Sequence, residues 1–401
     1  MSELFLYDDA TARRFEPFAL VRPVAELRAG ATLLRERWET AMGRPCAGLV
    51  SASHLREFSE RDAPRAVLDT LPAGAVLANA RCAVALAHAP EADVWLCDGR
   101  VAAVRLRASV PTDQLADGTR TLDSLAPRDG RTAQVHGRWI DEVWHFIRDL
   151  PAQLMEDISA LSDGALLLSA AEAPRVGEHP VFVERGDTVE PMVMFDVTAG
   201  PVLVRQGATV QAFTRLAGPC VVGKNSVVSG GRIAASSIGE SCKVHGELSN
   251  TIILGHSNKG HDGFVGHSYL GRWVNLGAAT VTSNLKNTYG TVSLWTPEGV
   301  RDTGLQFLGA MIGDHAKTGI GVRLTTGTVI GAGANIFGGE VMPKVVPPFA
   351  WGNGPPFAVY DLGKFLTSAD RMMQRRGVVL SERTRAQLSA SHVTRWSVRQ
   401  P

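Results

Sequence analysis

Hydrophobic and polar positions divide this chain into two textures. Up to about residue 170, short apolar runs alternate with amphipathic stretches. Leu4-Phe5-Leu6-Tyr7, Ala75-Val76-Leu77-Ala78 and Val94-Trp95-Leu96-Cys97 predict strands. Residues 24–40 place Leu27, Leu33, Leu34 and Trp38 at helical spacing, and residues 144–161 do so with Ile147, Leu150, Leu154, Ile158 and Leu161. Strands alternating with helices predict an α/β layer domain over residues 1–170.

From about residue 180 the helical period disappears. Val204, Val210, Leu216, Val222 and Val228 fall six apart, Ile238 with Val244 and Leu270 with Leu276 keep that step, and a second ladder runs Ile312, Thr318, Leu324, Ile330, Ile336. Glycine follows several of them, as in Val222-Gly223, Leu276-Gly277 and Ile330-Gly331. A six-residue period predicts a hexapeptide parallel β-helix over residues 180–345, in which three short strands build one triangular coil. The aliphatic side chain stacks inside the prism, and glycine fits the turn where a side chain would clash. Residues 286–306 break the period and predict an excursion from one face. A Gly/Pro-rich segment at 351–356 then leads to a helical tail within residues 355–401, of the kind that caps a solenoid or packs on a neighbouring subunit.

Composition changes this picture little. The 401 residues exceed what one core usually supports, which agrees with two domains. A net charge of +1 argues against a nucleic-acid partner, and the cluster Arg371, Arg375, Arg376 reads as a solvated helix face. The five cysteines are scattered with no C-x-x-C pair, which predicts reduced, buried thiols and no zinc site. The N-terminal residues lack the pattern of a secretory leader. No apolar run reaches the roughly 20 residues of a bilayer span. A cytoplasmic protein without a membrane partner is expected.

Histidine, aspartate and asparagine have little structural use in an aliphatic prism, yet they cluster in Lys259-Gly260-His261-Asp262-Gly263-Phe264-Val265-Gly266-His267 and in Asn275-Leu276-Gly277-Ala278-Ala279-Thr280-Val281-Thr282-Ser283-Asn284. This pair of segments resembles the acetyltransferase domain of the bifunctional enzymes that acetylate glucosamine-1-phosphate and then uridylylate it. That family has a Gly-His followed by Asn-[Ile/Val]-Gly-Ala-Gly-Thr-[Ile/Val]-Thr-x-Asn. With His261 as reference, Asn275, Gly277 and Asn284 lie 14, 16 and 23 residues downstream, as the pattern requires. His267 is the alternative, and it needs a gap of one hexapeptide. The run from Gly309 through Ile320 is similar to archaeal-type sugar-phosphate nucleotidyltransferases that carry the same acetylating domain.

The resemblance implies a left-handed β-helix trimer that uses acetyl-CoA and an amino-sugar phosphate. His261 would be the general base, a role an imidazole suits near neutral pH. Glu247 would orient that ring, Arg232 would bind phosphate after a one-residue offset, and Asn275 would contact the sugar. Ala278, Asn284, Leu285, Ile320 and Gly338 would line the acetyl-CoA groove between coils and subunits. Two departures stand out. Phe264 replaces a substrate-contacting tyrosine and Ser249 a phosphate-binding lysine, a loss for which Lys259 or Lys317 could substitute.

The segment Asp8-Asp9-Ala10-Thr11-Ala12-Arg13-Arg14 through Arg22-Pro23, Leu27-Arg28-Ala29-Gly30 and Trp38 resembles a divergent bacterial branch of sugar nucleotidyltransferases. The Gly-rich phosphate loop of the wider family is missing. Arg13, Arg14, Arg22 and Arg28 are expected to grip nucleotide phosphates in its place. An active transferase of this kind would use UTP and Mg²⁺. No ligand set for that ion is apparent, because Asp8 and Asp9 are adjacent and the strand ending at Asn79-Ala80-Arg81 lacks a carboxylate. Three readings follow: a bifunctional transferase, an acyltransferase with a degenerate nucleotide-sugar-binding half, and a non-catalytic β-helix scaffold.

Overall fold

The computed structural model describes residues 2–169, 174–339 and 341–396. They form two compact units. One comprises residues 1–143 with 379–394, the other residues 144–378 with 395–401.

The first unit is built on a six-stranded mixed sheet. Leu4–Tyr7 lies next to one edge, parallel to the edge strand Cys46–Val50 on one side and to Val76–Asn79 on the other. Arg100–Arg105 runs antiparallel to Val76–Asn79 and to Val94–Cys97, and Thr132–Gln134 closes the edge. The three predicted strands are present, one of them displaced by a single residue. The helix expected over residues 24–40 is shorter, Leu34–Met42. Gly30 adopts φ +62° and folds Arg28–Ala29 back on Thr32–Leu33 as a hairpin, which no helix can span. Trp38 is fully buried and donates from its indole nitrogen to the carbonyl of Asn79.

The second unit is the β-helix. Nine strands, from Val181–Val183 to Val345–Val346, stack in parallel along one face, and Leu166–Leu167 pairs antiparallel at the start. Every aliphatic of both hexapeptide ladders is buried in one continuous core. The excursion is a β-hairpin, Ser293–Thr296 against Gly299–Asp302.

The texture change and the division into units do not coincide. The helix Leu150–Leu161 belongs to the solenoid unit, where Met155 packs so tightly on Gly200 that a Cβ there would lie 2.6 Å from its sulfur. The tail also divides. Leu362–Gln374 joins the solenoid unit, with Phe365 edge-on to Phe349 at 5.0 Å. Glu382–Thr394 joins the first unit, where Gln387 and Ser391 donate to the carbonyls of Val21 and Leu20. All five cysteines are buried and free. Among the described residues, no helix is long and apolar enough to cross a membrane.

Candidate functional site

Two sites emerge, one in each unit. In the β-helix, His261 occupies the corner between strands Asn258–Lys259 and Phe264–Gly266. Buried Lys259 secures this corner by donating to the carbonyls of His245 (2.8 Å) and His261 (2.5 Å), and burial pushes its ammonium down to about 8. On the adjoining face Lys243, Asn258, Asn275 and Lys317 are register partners on successive coils. Asn258 donates its amide to the side-chain oxygen of Asn275 at 3.0 Å. His261, Asn258 and Asn275 line a cavity of about 350 Å³, with Lys243 on its own coil and Met372, Arg375 and Arg376 from the tail. The exposed imidazole of His261 thus shares one cavity with an amide pair and three cationic side chains.

The corner continues along the solenoid. Ala279 donates to the carbonyl of Asp262, Gly321 to that of Ala278, and Gly319 to that of Ile336. His261, Ala278, Ile320 and Gly338 therefore stand on consecutive coils of the same edge. Ile320 is 77% exposed there. Arg232, Glu247 and Phe264 form a separate column on the next face, with Ser249 two residues further along it. Among the described residues no hydrogen bond joins Glu247 to His261. The carboxylate at this corner is Asp262, which meets His245 of the preceding coil at 3.1 Å.

Asn284 and Leu285 lie at the following corner. There Asn284 donates to Nδ1 of His267 at 2.8 Å, and the His267 ring stacks on Phe307. Burial lowers the His267 imidazole to about 4, so it stays neutral at ordinary pH.

In the first unit, a cavity of about 410 Å³ opens at the carboxyl ends of Leu4–Tyr7 and Val76–Asn79. Asp9 forms its floor. The Asp9 carboxylate accepts from Nε and Nη2 of Arg81 at 2.8 and 2.7 Å, from Asn79 and from the backbone of Ala12. Burial would raise this carboxyl, but those donors outweigh it and hold it below the usual range. Arg81 reaches on to Asp141 at 2.6 Å, and Arg100 meets the same carboxylate at 3.0 Å while lying 3.9 Å above the Trp139 ring. The opposite wall runs from Gly118 to Asp123. Gly118, at φ +79°, lets that wall approach so closely that a Cβ would lie 2.8 Å from the nitrogen of Ala10.

These features decide one comparison. Residues 4–165 match the family model described as sugar nucleotidyl transferase. That match covers about two fifths of the chain. A bifunctional sugar-1-phosphate nucleotidylyltransferase/acetyltransferase of Sulfurisphaera tokodaii is 35% identical over 100 residues, a quarter of each chain. The bifunctional protein GlmU of Bartonella quintana is 29% identical over 174 residues, 41% of this chain and 33% of that one. The GlmU of Rubrobacter xylanophilus is 25% identical over 262 residues, 56% and 51% of the two chains. These matches span a quarter to a half of the relatives' lengths.

Within the first unit, the four arginines expected to grip phosphate do not converge. Arg13 donates to the backbone carbonyls of Asp8, Leu115 and Ala116, and Arg14 to Thr11. Buried Arg22 forms a two-pronged ion pair with Glu60, and Arg28 donates to the carbonyl of Ala31. The cavity is instead lined by Arg81, Arg100 and Arg120. Sequence reading missed these because they are far apart in the chain. It also assigned Arg375 and Arg376 to a solvated face, whereas both line the His261 cavity and Arg376 donates to the carbonyl of Ser241.

The cavity of the first unit does not fit a divalent ion. Among the described residues no three His, Cys, Asp or Glu side chains converge to hold a metal. The two carboxylates that face each other, Asp9 and Asp141, are bridged by Arg81. That side chain is only 6% exposed. Removing one partner of so buried a pair costs about 3–5 kcal/mol.

Asp8, just behind the cavity, supplies a pH test. Its carboxyl is 3% exposed, accepts from the backbone nitrogen of Val24, and is pushed up to about 7 by burial. The folded state therefore holds this proton more tightly than the unfolded chain, whose carboxyl titrates near 3.8. The contribution is complete below about pH 4 and is lost as pH rises through about 7, on the order of 4 kcal/mol in all. Asp8→Asn is expected to flatten this dependence in thermal unfolding between those limits. Parallel pH profiles for variant and wild type would rule the account out.

Proposed function

We propose that this protein is a sugar-phosphate transferase that N-acetylates an amino-sugar phosphate at the His261 corner, with acetyl-CoA as cosubstrate. Its transferase domain handles a nucleotide of the UTP type. The single observation behind the acyl-transfer reading is the shared cavity of His261, the Asn258–Asn275 amide pair, Lys243, Arg375 and Arg376. His261 removes a proton from the substrate ammonium, and the freed amine attacks the thioester carbonyl. The C–N bond forms, the C–S bond breaks, and CoA leaves as its thiol. Asn275 holds a sugar hydroxyl. Lys243, Arg375 and Arg376 supply the positive charge that Ser249 lacks, so the acceptor's phosphate has a place without Arg232.

Acetyl-CoA would lie along the exposed edge of Ala278, Ile320 and Gly338. A homotrimer, in which a neighbouring subunit covers Ile320, suits that edge, and a cytoplasmic location suits both substrates. Adding glucosamine-1-phosphate to protein and acetyl-CoA is expected to release free thiol. No release with any amino-sugar phosphate would sink the acyltransferase reading.

For the transferase domain the relatives' names point to attack of a sugar-1-phosphate oxygen on the α-phosphorus of UTP, with pyrophosphate leaving. The bridging of Asp9 and Asp141 by Arg81 favours a second reading, in which the domain binds a nucleotide or nucleotide sugar without transfer. Pyrophosphate release from UTP and N-acetylglucosamine-1-phosphate separates the two readings. Release supports the first, and its absence with every nucleoside triphosphate leaves the second.

A further inference from the structure

The cavity of the first unit has an unusual charge plan. A site that works through a divalent ion keeps carboxylates free to ligate it. Here Asp9 is saturated by Arg81, Asn79 and the Ala12 backbone, and Asp141 takes Arg81 and Arg100, which leaves Asp123 as the other carboxylate of the lining among the described residues. Positive charge is already built into the wall as side chains of this chain.

Arg100 is the informative member. Its guanidinium is held from below by the Trp139 ring at 3.9 Å and from one side by Asp141, which accepts from Nη1 alone. Its Nε and Nη2 have no hydrogen-bond partner among the described residues. The side chain is 45% exposed and lines the cavity. A stacked, half-exposed guanidinium with an unused pair of donors has the geometry that takes a phosphate oxygen pair. Arg120 faces the same space from the opposite wall and spends only Nη1, on Gln114.

We infer that this cavity holds the phosphate groups of its ligand directly on Arg100 and Arg120, without a divalent cation, and that Arg81 fills the position between Asp9 and Asp141 that such an ion would need. The ligand class is a nucleoside di- or triphosphate or a nucleotide sugar. The inference rests on the nucleotide-binding reading of this domain and is independent of the acyl-transfer site. It also gives Arg81 a role: it keeps two carboxylates neutralised beside an anionic ligand.

The test is calorimetric titration of the full-length protein with UTP and, separately, with pyrophosphate, in excess EDTA and in excess Mg²⁺. Binding in EDTA as tight as in Mg²⁺ is expected. Arg100→Ala is expected to weaken both ligands by about 10–100-fold, the usual scale for a hydrogen-bonded charge pair. Arg100→Lys, which keeps the charge and loses the fork, should fall between. Arg120→Ala, at a side chain that carries little of the fold, repeats the test if Arg100→Ala is poorly folded. UTP binding that requires Mg²⁺ overturns the inference and leaves the nucleotide reading intact. So does a tight Mn²⁺ site, seen by electron paramagnetic resonance, that Asp141→Asn removes. Failure of both ligands to bind in either buffer overturns inference and reading together.

Discussion

Replacing His261 with alanine is expected to slow acetyl transfer by about 10²–10⁴-fold, the range by which a positioned base accelerates proton transfer. The exposed imidazole contributes nothing to the hydrophobic core, so the circular dichroism spectrum and the melting midpoint should match wild type. The informative control is His267→Ala. That ring is held by Asn284 and Phe307 and is not part of the lining of the cavity that holds the Asn258–Asn275 pair. Burial keeps it from accepting a proton at ordinary pH. A base must gain a proton during the reaction, which burial of His267 opposes. A larger loss for His267→Ala than for His261→Ala would move the site to the following corner. Glu247→Gln should have a small effect, because Glu247 stands in the column with Arg232 and Phe264 and makes no hydrogen bond to His261.

Gly231→Val is expected to unfold the solenoid unit under conditions where wild type is folded, a loss above about 4 kcal/mol. Two separate physical penalties meet at this glycine. Its φ of +93° lies where a β-branched residue is strained. Coils repeat at about 4.8 Å, so a side chain directed along the solenoid axis meets the next coil. A Cβ at Gly231 would lie 2.1 Å from the carbonyl oxygen of Gly246, its register partner. That oxygen belongs to backbone and cannot swing aside. Gly354→Ala is the matched control: nothing lies within 4 Å of its added carbon, and its stability should stay within about 0.5 kcal/mol of wild type. Circular dichroism melting of the two variants checks both statements, and a Gly231→Val protein that melts like wild type would refute the stacking argument.

The β-helix was legible because its rule is local. Val204, Val210, Leu216, Val222 and Val228 each repeat one environment, and all five are fully buried. The strand Leu4–Tyr7 was legible for a similar reason, as four consecutive buried residues between two parallel neighbours. The helix at residues 24–40 was misread over its first half because Gly30 turns the chain where side-chain spacing alone shows a continuous stripe.

The two cavities divide along the same line. Resemblance of their spacing to a known family's pattern brought out His261 and Asn275, and both line one cavity. Asn258 lay inside that same register and could have been found from its pairing opposite Asn275. Arg375 and Arg376 could not, because they follow a helix that lies beyond the end of the repeat. Nor could the Asp9–Arg81–Asp141 bridge, whose members are 72 and 60 residues apart. By itself the sequence determined the solenoid and its core, both products of short-range periodicity, and it offered the histidine corner as what a family resemblance implies. Only the tertiary structure decided which charges neutralise one another and which face a ligand, because burial and pairing depend on what long-range packing brings alongside.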